Sequence, residues 1–240
     1  MPYLEGMAYL QRPFLPMNIA SYIDHTVLKP TTTIAEVEQL CGEAGVYGFA
    51  AVCVPPPFLK RVKSLLEPTH VKAATVIGFP FGYAATEAKL AEIVLALVDG
   101  ADELDMVLNL VALRMGDWDF LAKEVKLAAE VVHNQGKALK LIIESGILTD
   151  DEIIQCCEKL GPLGIDFMKT STGYAEKGAT VEAVRLMRKY LPASVKIKAS
   201  GGIRGYDFAR QLVEAGADRL GCSASVAIVK GDPAFITNSY

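Results

Sequence analysis

Short runs of apolar and β-branched residues alternate along the chain with longer segments of helical periodicity, the pattern expected when parallel strands are each covered by a helix. The short runs fall at residues 22–27, 49–54, 72–78, 103–108, 139–144, 166–170, 195–199 and 219–221. Eight such strands close a (β/α)8 barrel, so the pattern predicts an α/β chain folded as a single barrel. The last run is too short to be read alone. Between the strands, Thr33, Thr86, Thr149 and Thr180 stand before helical stretches, where a hydroxyl can satisfy the orphan amides of a first turn. Gly45, Gly100 and Gly216 stand where helices would stop in a left-handed turn.

The repeated Gly-Ala-Asp at 100–102 and 216–218 marks entry into a strand and is read as architecture. An open doubly wound sheet is the alternative fold, but no GxGxxG follows the first strands. No interior segment is rich enough in Gly, Ser or Pro to be a linker. The expected organisation is an N-terminal extension at 1–18 and one catalytic barrel at 19–240.

Three charges interrupt this pattern. Asp105 lies within Asp102-Glu103-Leu104-Asp105-Met106-Val107, Lys169 within Phe167-Met168-Lys169-Thr170, and Lys198 within Ile197-Lys198-Ala199, all in strands otherwise built for burial. A single lysine at a strand end is ordinarily a surface group with its stem laid along the protein. Three ionisable groups inside apolar strands need a shared reason, and active sites supply one. The two lysines are about 29 residues apart, one strand–helix–strand unit, which puts them at the ends of neighbouring parallel strands. A buried lysine beside another cation loses its proton easily, and a neutral amine attacks carbonyls to form a Schiff base.

Glycine and hydroxyl clusters follow the strands that carry the lysines and the last strand: Thr170-Ser171-Thr172-Gly173, Ser200-Gly201-Gly202 and Gly221-Cys222-Ser223. Each alone is ordinary turn chemistry. Converging on one end of a barrel, their amides and hydroxyls favour a phosphate.

Composition narrows the partners. The 240 residues are 51% hydrophobic and 22% charged with a net charge of −4, and no run of like charges suggests capture of nucleic acid or an anionic membrane. A small molecule is the expected partner. Five cysteines, an odd number with Cys156 and Cys157 adjacent, disfavour a disulfide framework and point to reduced thiols in the cytoplasm. The first eighteen residues lack the apolar core of a signal peptide, and no apolar stretch has transmembrane length. Three scattered histidines, His25, His70 and His133, make metal catalysis the weaker reading.

These same segments carry a resemblance. Ile23 to Pro30, Val76-Ile77-Gly78-Phe79-Pro80, Asp102 to Val107, Lys140-Leu141-Ile142-Ile143-Glu144, Phe167 to Gly173, Lys198 to Gly202 and Arg219 to Ser223 together resemble the deoxyribose-phosphate aldolases, a family of class I aldolases. The Lys-Thr-Ser-Thr-Gly segment beside a downstream Lys-x-x-Gly-Gly is the most specific part. The resemblance implies a barrel enzyme, an aldehyde-lyase of deoxynucleoside catabolism, that cleaves 2-deoxy-D-ribose 5-phosphate reversibly to D-glyceraldehyde 3-phosphate and acetaldehyde with no cofactor and no metal. It implies Lys169 as the Schiff-base residue, Asp105 and Lys198 as proton donor and acceptor, and Thr170, Gly173, Gly201, Gly202, Gly221 and Ser223 as substrate and phosphate contacts. A cytoplasmic homodimer is the implied assembly.

The chain departs from that family at Ala224, where many relatives carry a second serine after Ser223, and at Pro55-Pro56-Pro57, which stiffens the rim. His25 reads as a hydrogen-bonded structural histidine and Cys53 as inert packing. Asp24, Lys140 and Glu144 are balanced between a polar shell around the amines and structural pairing. The terminal Ser239-Tyr240 resembles the tyrosine-ended terminus of some relatives. Three other readings stay open: an isomerase or synthase that uses carboxylates, a sugar-phosphate binding protein, and a Schiff-base aldolase for larger ketose phosphates.

Overall fold

In the computed structural model, which describes residues 18–232, eight strands hydrogen-bond in sequence order and the eighth returns to the first. They are β1 Ile23–Thr26, β2 Ala51–Val54, β3 Lys72–Ile77, β4 Glu103–Val107, β5 Ala138–Ile142, β6 Phe167–Lys169, β7 Lys196–Ser200 and β8 Arg219–Cys222. Every neighbouring pair is parallel, so the barrel closes with all strand C-termini at one mouth. The helices between them are α1 Ile34–Tyr47, α2 Leu59–Leu66, α3 Thr86–Val98, α4 Leu110–Arg114, α5 Trp118–His133, α6 Asp150–Leu160, α7 Val181–Tyr190 and α8 Tyr206–Glu214, with α9 Ser225–Lys230 after the last strand. None among the described residues is long and apolar enough to cross a membrane.

The strand period of two sorts the side chains into two environments. Outward positions such as Val52, Leu104, Met106, Leu139, Leu141, Met168, Ile197 and Leu220 pack under the helices in one continuous apolar core. Each such fully buried side chain contributes about 1.5–3 kcal/mol relative to exposure. Inward positions divide. β2 and β3 contribute a small apolar cluster of Ala51, Cys53, Ala74 and Val76, while the other strands turn charged groups inward.

The aspartates that open strands fasten the bottom of the barrel. Asp102, Asp166 and Asp218 accept the backbone amides of Ala73, Leu139 and Ile197 on the preceding strands, at 3.1, 2.8 and 2.8 Å. This is the structural work of the Gly-Ala-Asp repeat.

Local chemistry placed most helix ends. Thr33 and Thr149 form capping boxes with Glu36 and Glu152, and Thr180 caps α7 through the amide of Ala183. Thr86 departs from expectation: it is the first helical residue of α3, and its hydroxyl reaches Glu124 at 3.3 Å. Gly45 does not stop α1, which runs to Tyr47 and turns at Gly48 with φ 68°. Gly100 and Gly216 do take positive φ, 95° and 115°, in the turns after their helices. The fifth strand ends at Ile142, short of the expected 144, because Glu144 leaves extended backbone at φ 56°.

Candidate active site

Asp105, Lys169 and Lys198 project inward from β4, β6 and β7 and meet. Lys169 and Lys198 are direct partners in the β6–β7 ladder. Both donate to the same oxygen, Asp105 Oδ2, each at 2.7 Å. Lys140, on β5 and in register with Asp105, donates to the other oxygen, Oδ1, at 2.8 Å. Behind them the network continues: Lys198 lies 2.5 Å from Asp24, Lys140 lies 2.6 Å from Glu103, and Arg219 bridges Asp24 and Glu103.

Its charge balance is informative. Four cationic side chains, Lys140, Lys169, Lys198 and Arg219, face three carboxylates, Asp24, Glu103 and Asp105. The dry interior penalises charge, and among these four cations Lys169 is the one whose pKa is lowered. Burial pushes its pKa down, Asp105 pulls it up, Lys198 pushes it down again, and the balance falls below the ordinary lysine value. Burial also disfavours charge on Lys198 and Lys140, but Asp105 and Asp24 beside Lys198, and Asp105, Glu103 and Asp24 beside Lys140, outweigh it and raise both. Burial alone would raise the Asp105 carboxyl, yet the three lysines hold it well below the usual range, and Asp24 is likewise lowered by Lys198, Lys140 and Arg219.

Only Lys169 of this network reaches the open mouth. It lines a cavity of about 850 Å³ together with Gly173, Gly201, Gly202, Gly221 and Ser223. These are five of the six substrate-binding residues expected from the sequence, and the cations Lys29 and Arg204 border the same space. The sixth, Thr170, is elsewhere engaged: it is fully buried, and its hydroxyl donates to Ser200 O at 3.1 Å and accepts from Ser200 N at 3.0 Å, tying β6 to β7. Gly173, Gly201 and Gly202 all take positive φ. Gly201 has a further reason to be glycine, since a Cβ there would come within 2.9 Å of Gly178.

The remaining candidates separate clearly. Asp24 and Lys140 belong to the charged network. Glu144 does not; it accepts the amide of Thr172 at 3.2 Å, and the Thr172 hydroxyl, holding the loop after β6. His25 pairs through Nε2 with Glu43 on α1 at 2.7 Å, a structural bond at the cavity wall, and burial lowers its pKa. Cys53 lies in the inner apolar cluster, its thiol pushed up to about 11 by burial and by Asp105. Ala224 sits at the N-cap of α9 and offers no side-chain cap. Among the described residues, no group of three or more His, Cys, Asp or Glu is gathered to hold a metal. Residues 1–17 of the expected extension and Tyr240 lie outside the described residues.

Sequence reading missed Glu103, Arg219 and Tyr174. Glu103 had a signal, since it stands two residues before Asp105 and so shares its face. Arg219 opened the strand too short to read alone. Tyr174, whose hydroxyl donates to Leu28 O at 2.8 Å across the mouth, had none.

Fold and site together define an α/β barrel with a buried lysine of lowered pKa lining the cavity at its mouth, above a network of ion pairs. Comparison with known proteins specifies the class. Residues 18–228 match the model of the DeoC/LacD family aldolases. The chain is 50% identical over 217 residues to a deoxyribose-phosphate aldolase of Thermococcus gammatolerans, covering 90% of this chain and 96% of that protein. It is 47% identical over 218 residues to one from Macrococcus caseolyticus, covering 91% and 98%. The solved structure of a tetrameric deoxyribose phosphate aldolase from Aeropyrum pernix superposes with a TM-score of 0.83 at 34% identity, covering 88% of this chain and 89% of that one. The chain belongs to the DeoC/LacD family of aldolases, which are carbon–carbon lyases.

Proposed function

We propose that this protein is a deoxyribose-phosphate aldolase, which reversibly cleaves 2-deoxy-D-ribose 5-phosphate to D-glyceraldehyde 3-phosphate and acetaldehyde through a Schiff base on Lys169. The observation that carries the reading is that Lys169 alone in its network combines a lowered pKa with a place on the cavity wall. The relatives named above supply the substrate.

The chemistry follows from charge balance. Neutral Lys169 attacks the aldehyde carbon of the open-chain sugar, and the carbinolamine loses its hydroxyl as water with a proton from Lys198. The iminium now carries the charge that Lys198 has given up, so the interior stays neutral. Lys198, reached through Asp105 and water, then takes the proton of the C3 hydroxyl. The C2–C3 bond breaks, its electrons flow into the iminium, and glyceraldehyde phosphate departs. Lys198 returns the proton to the terminal carbon of the enamine, and water releases acetaldehyde. At each stage the positive charge sits on either Lys169 or Lys198, with Asp105 between them. Moving it costs little because the network is preorganised for one cation at that place.

The phosphate is taken by the loops carrying Gly173, Gly201, Gly202, Gly221 and Ser223, with Lys29 and Arg204 adding positive charge at the rim. The family resemblance adds a cytoplasmic homodimer, and the Aeropyrum relative is described as tetrameric. Acetaldehyde release from deoxyribose 5-phosphate, compared with cleavage of fructose phosphates under the same conditions, tests the reading. Release from the deoxy sugar alone is expected; cleavage of the ketose phosphates alone would move the assignment to another Schiff-base aldolase.

A further inference from the structure

A second cavity, of about 430 Å³, opens at the same mouth beside the first. It is lined mainly by Pro55, Pro56, Val76, Phe79, Phe81, Tyr83 and Ala84, with one carboxylate, Glu92, that accepts the amide of Gly78 at 2.7 Å. Val76 faces Asp105 in the β3–β4 ladder and belongs to the inner apolar cluster with Cys53, whose thiol lies within electrostatic reach of Lys169. Lys169 itself lines the first cavity, with its glycines, hydroxyls and cations, and the second cavity adjoins that one at Leu28.

One aromatic side chain stands between the two. Tyr174 lines the larger cavity, its ring packs edge-on against Phe79 of the smaller one at 5.4 Å and 87°, and its hydroxyl holds Leu28 O, a residue that lines both. Its own loop is fixed, since its amide donates to Thr172 Oγ1 at 3.0 Å and Thr172 is held by Glu144. The wall is thus braced from β1, β3 and β6.

We infer that Tyr174 is a specificity-determining residue, a partition that confines acceptor aldehydes to the phosphate side, and that the chamber behind it is a subsite for the apolar chain of an unphosphorylated aldehyde. The inference rests on the aldolase reading above. In the addition direction, the enamine carbon bonds to the acceptor's carbonyl carbon and the carbonyl oxygen takes a proton. The acceptor's chain takes no part in that step, so its accommodation is decided by walls alone. With Tyr174 in place, an alkyl chain has Val27, Leu40 and Ile203 to pack on in a cavity it shares with Lys29, Arg204, Glu36 and Glu43, and there it displaces water from charged groups without replacing their hydrogen bonds. With the ring gone, the same chain has Val76, Phe79 and Pro56 to pack on.

The test measures addition of acetaldehyde to hexanal and to D-glyceraldehyde 3-phosphate by the wild type, Tyr174→Phe, Tyr174→Ala and the double variant Tyr174→Ala/Ala84→Phe. The quantity read is the ratio of kcat/KM for hexanal to that for the phosphorylated aldehyde. It should rise about tenfold or more in Tyr174→Ala, the scale that one or two methylenes of apolar contact produce. Tyr174→Phe keeps the ring and should stay near the wild type. The double variant refills the chamber and should return the ratio to its starting value, which general loosening of the mouth would not do. Should Tyr174→Ala prove unstable, Tyr174→Val removes the same ring. A ratio unmoved by loss of the ring, or a rise that survives Ala84→Phe, overturns the partition. If the wild type fails to cleave deoxyribose 5-phosphate at all, the aldolase reading itself has failed, and with it this inference.

Discussion

Lys169 and Lys198 share one oxygen of Asp105, each at 2.7 Å, from adjacent positions on β6 and β7. Two amines on one carboxylate oxygen cannot both be comfortable as cations, and they are driven in opposite directions. Lys198 is held charged by Asp24 as well, whereas Lys169 has Asp105 alone and sits lowest.

Replacing Lys198 by Leu should raise the pKa of Lys169, because it removes a neighbouring cation and leaves Asp105 Oδ2 to Lys169 alone. The acid limb of the pH–rate profile then moves to higher pH, and kcat falls by about 10²–10⁴-fold with loss of the proton carrier. An acid limb left in place would show that burial alone sets the nucleophile.

Lys140 is fully buried against Asp105 and Glu103 and never reaches the cavity. Lys140→Met keeps its length but leaves two carboxylates short of a partner, and should cost about 3–5 kcal/mol of stability. Chemical denaturation measures this, and a loss under about 1 kcal/mol would mean the network tolerates a missing charge.

Asp24 and Asp105 have folded pKa values below their unfolded ones, 3.8 for a free aspartate. The stability they contribute is complete above that unfolded value and is lost as pH falls below it towards the folded ones. The melting temperature should therefore hold steady from neutrality to about pH 5 and drop steeply below about pH 4. In Asp24→Asn that acid drop should be shallower, on a protein less stable at neutrality.

Cys41, Cys53, Cys156, Cys157 and Cys222 are all free and buried, and burial raises every thiol. Since thiolates are the reactive form, the folded protein should resist iodoacetamide at pH 8, and all five should react after denaturation. Rapid alkylation of native Cys53 would mean that the inner cluster opens to solvent.

The barrel was legible because its two periods are clean: strand and helix alternate eight times, and threonine and glycine mark most helix ends. Boundaries that slipped have local causes. Glu144 breaks out of β5 to hold Thr172, and Gly45 is tolerated inside α1 because Gly48 supplies the turn. The meeting of Asp105, Lys169 and Lys198 was legible as charge inside apolar strands. Their partners were less so, since Glu103 and Arg219 lie at strand starts, where charge is unremarkable until the barrel closes around them. Thr170 stands between Lys169 and Gly173 in sequence, yet its hydroxyl bonds the backbone of Ser200 and does not line the cavity, a placement that the sequence does not show. Tyr174 owes its place to loops that no periodicity describes.

Borohydride trapping tests the central claim most directly. The protein is mixed with acetaldehyde, reduced, and measured by intact mass and peptide mapping. The account predicts a single reduced two-carbon adduct, on Lys169, absent from Lys169→Ala and scarce at low pH where the amine is protonated. An adduct on another lysine would contradict the assignment of the nucleophile. No adduct on a folded protein that still cleaves deoxyribose 5-phosphate would contradict the Schiff-base mechanism altogether.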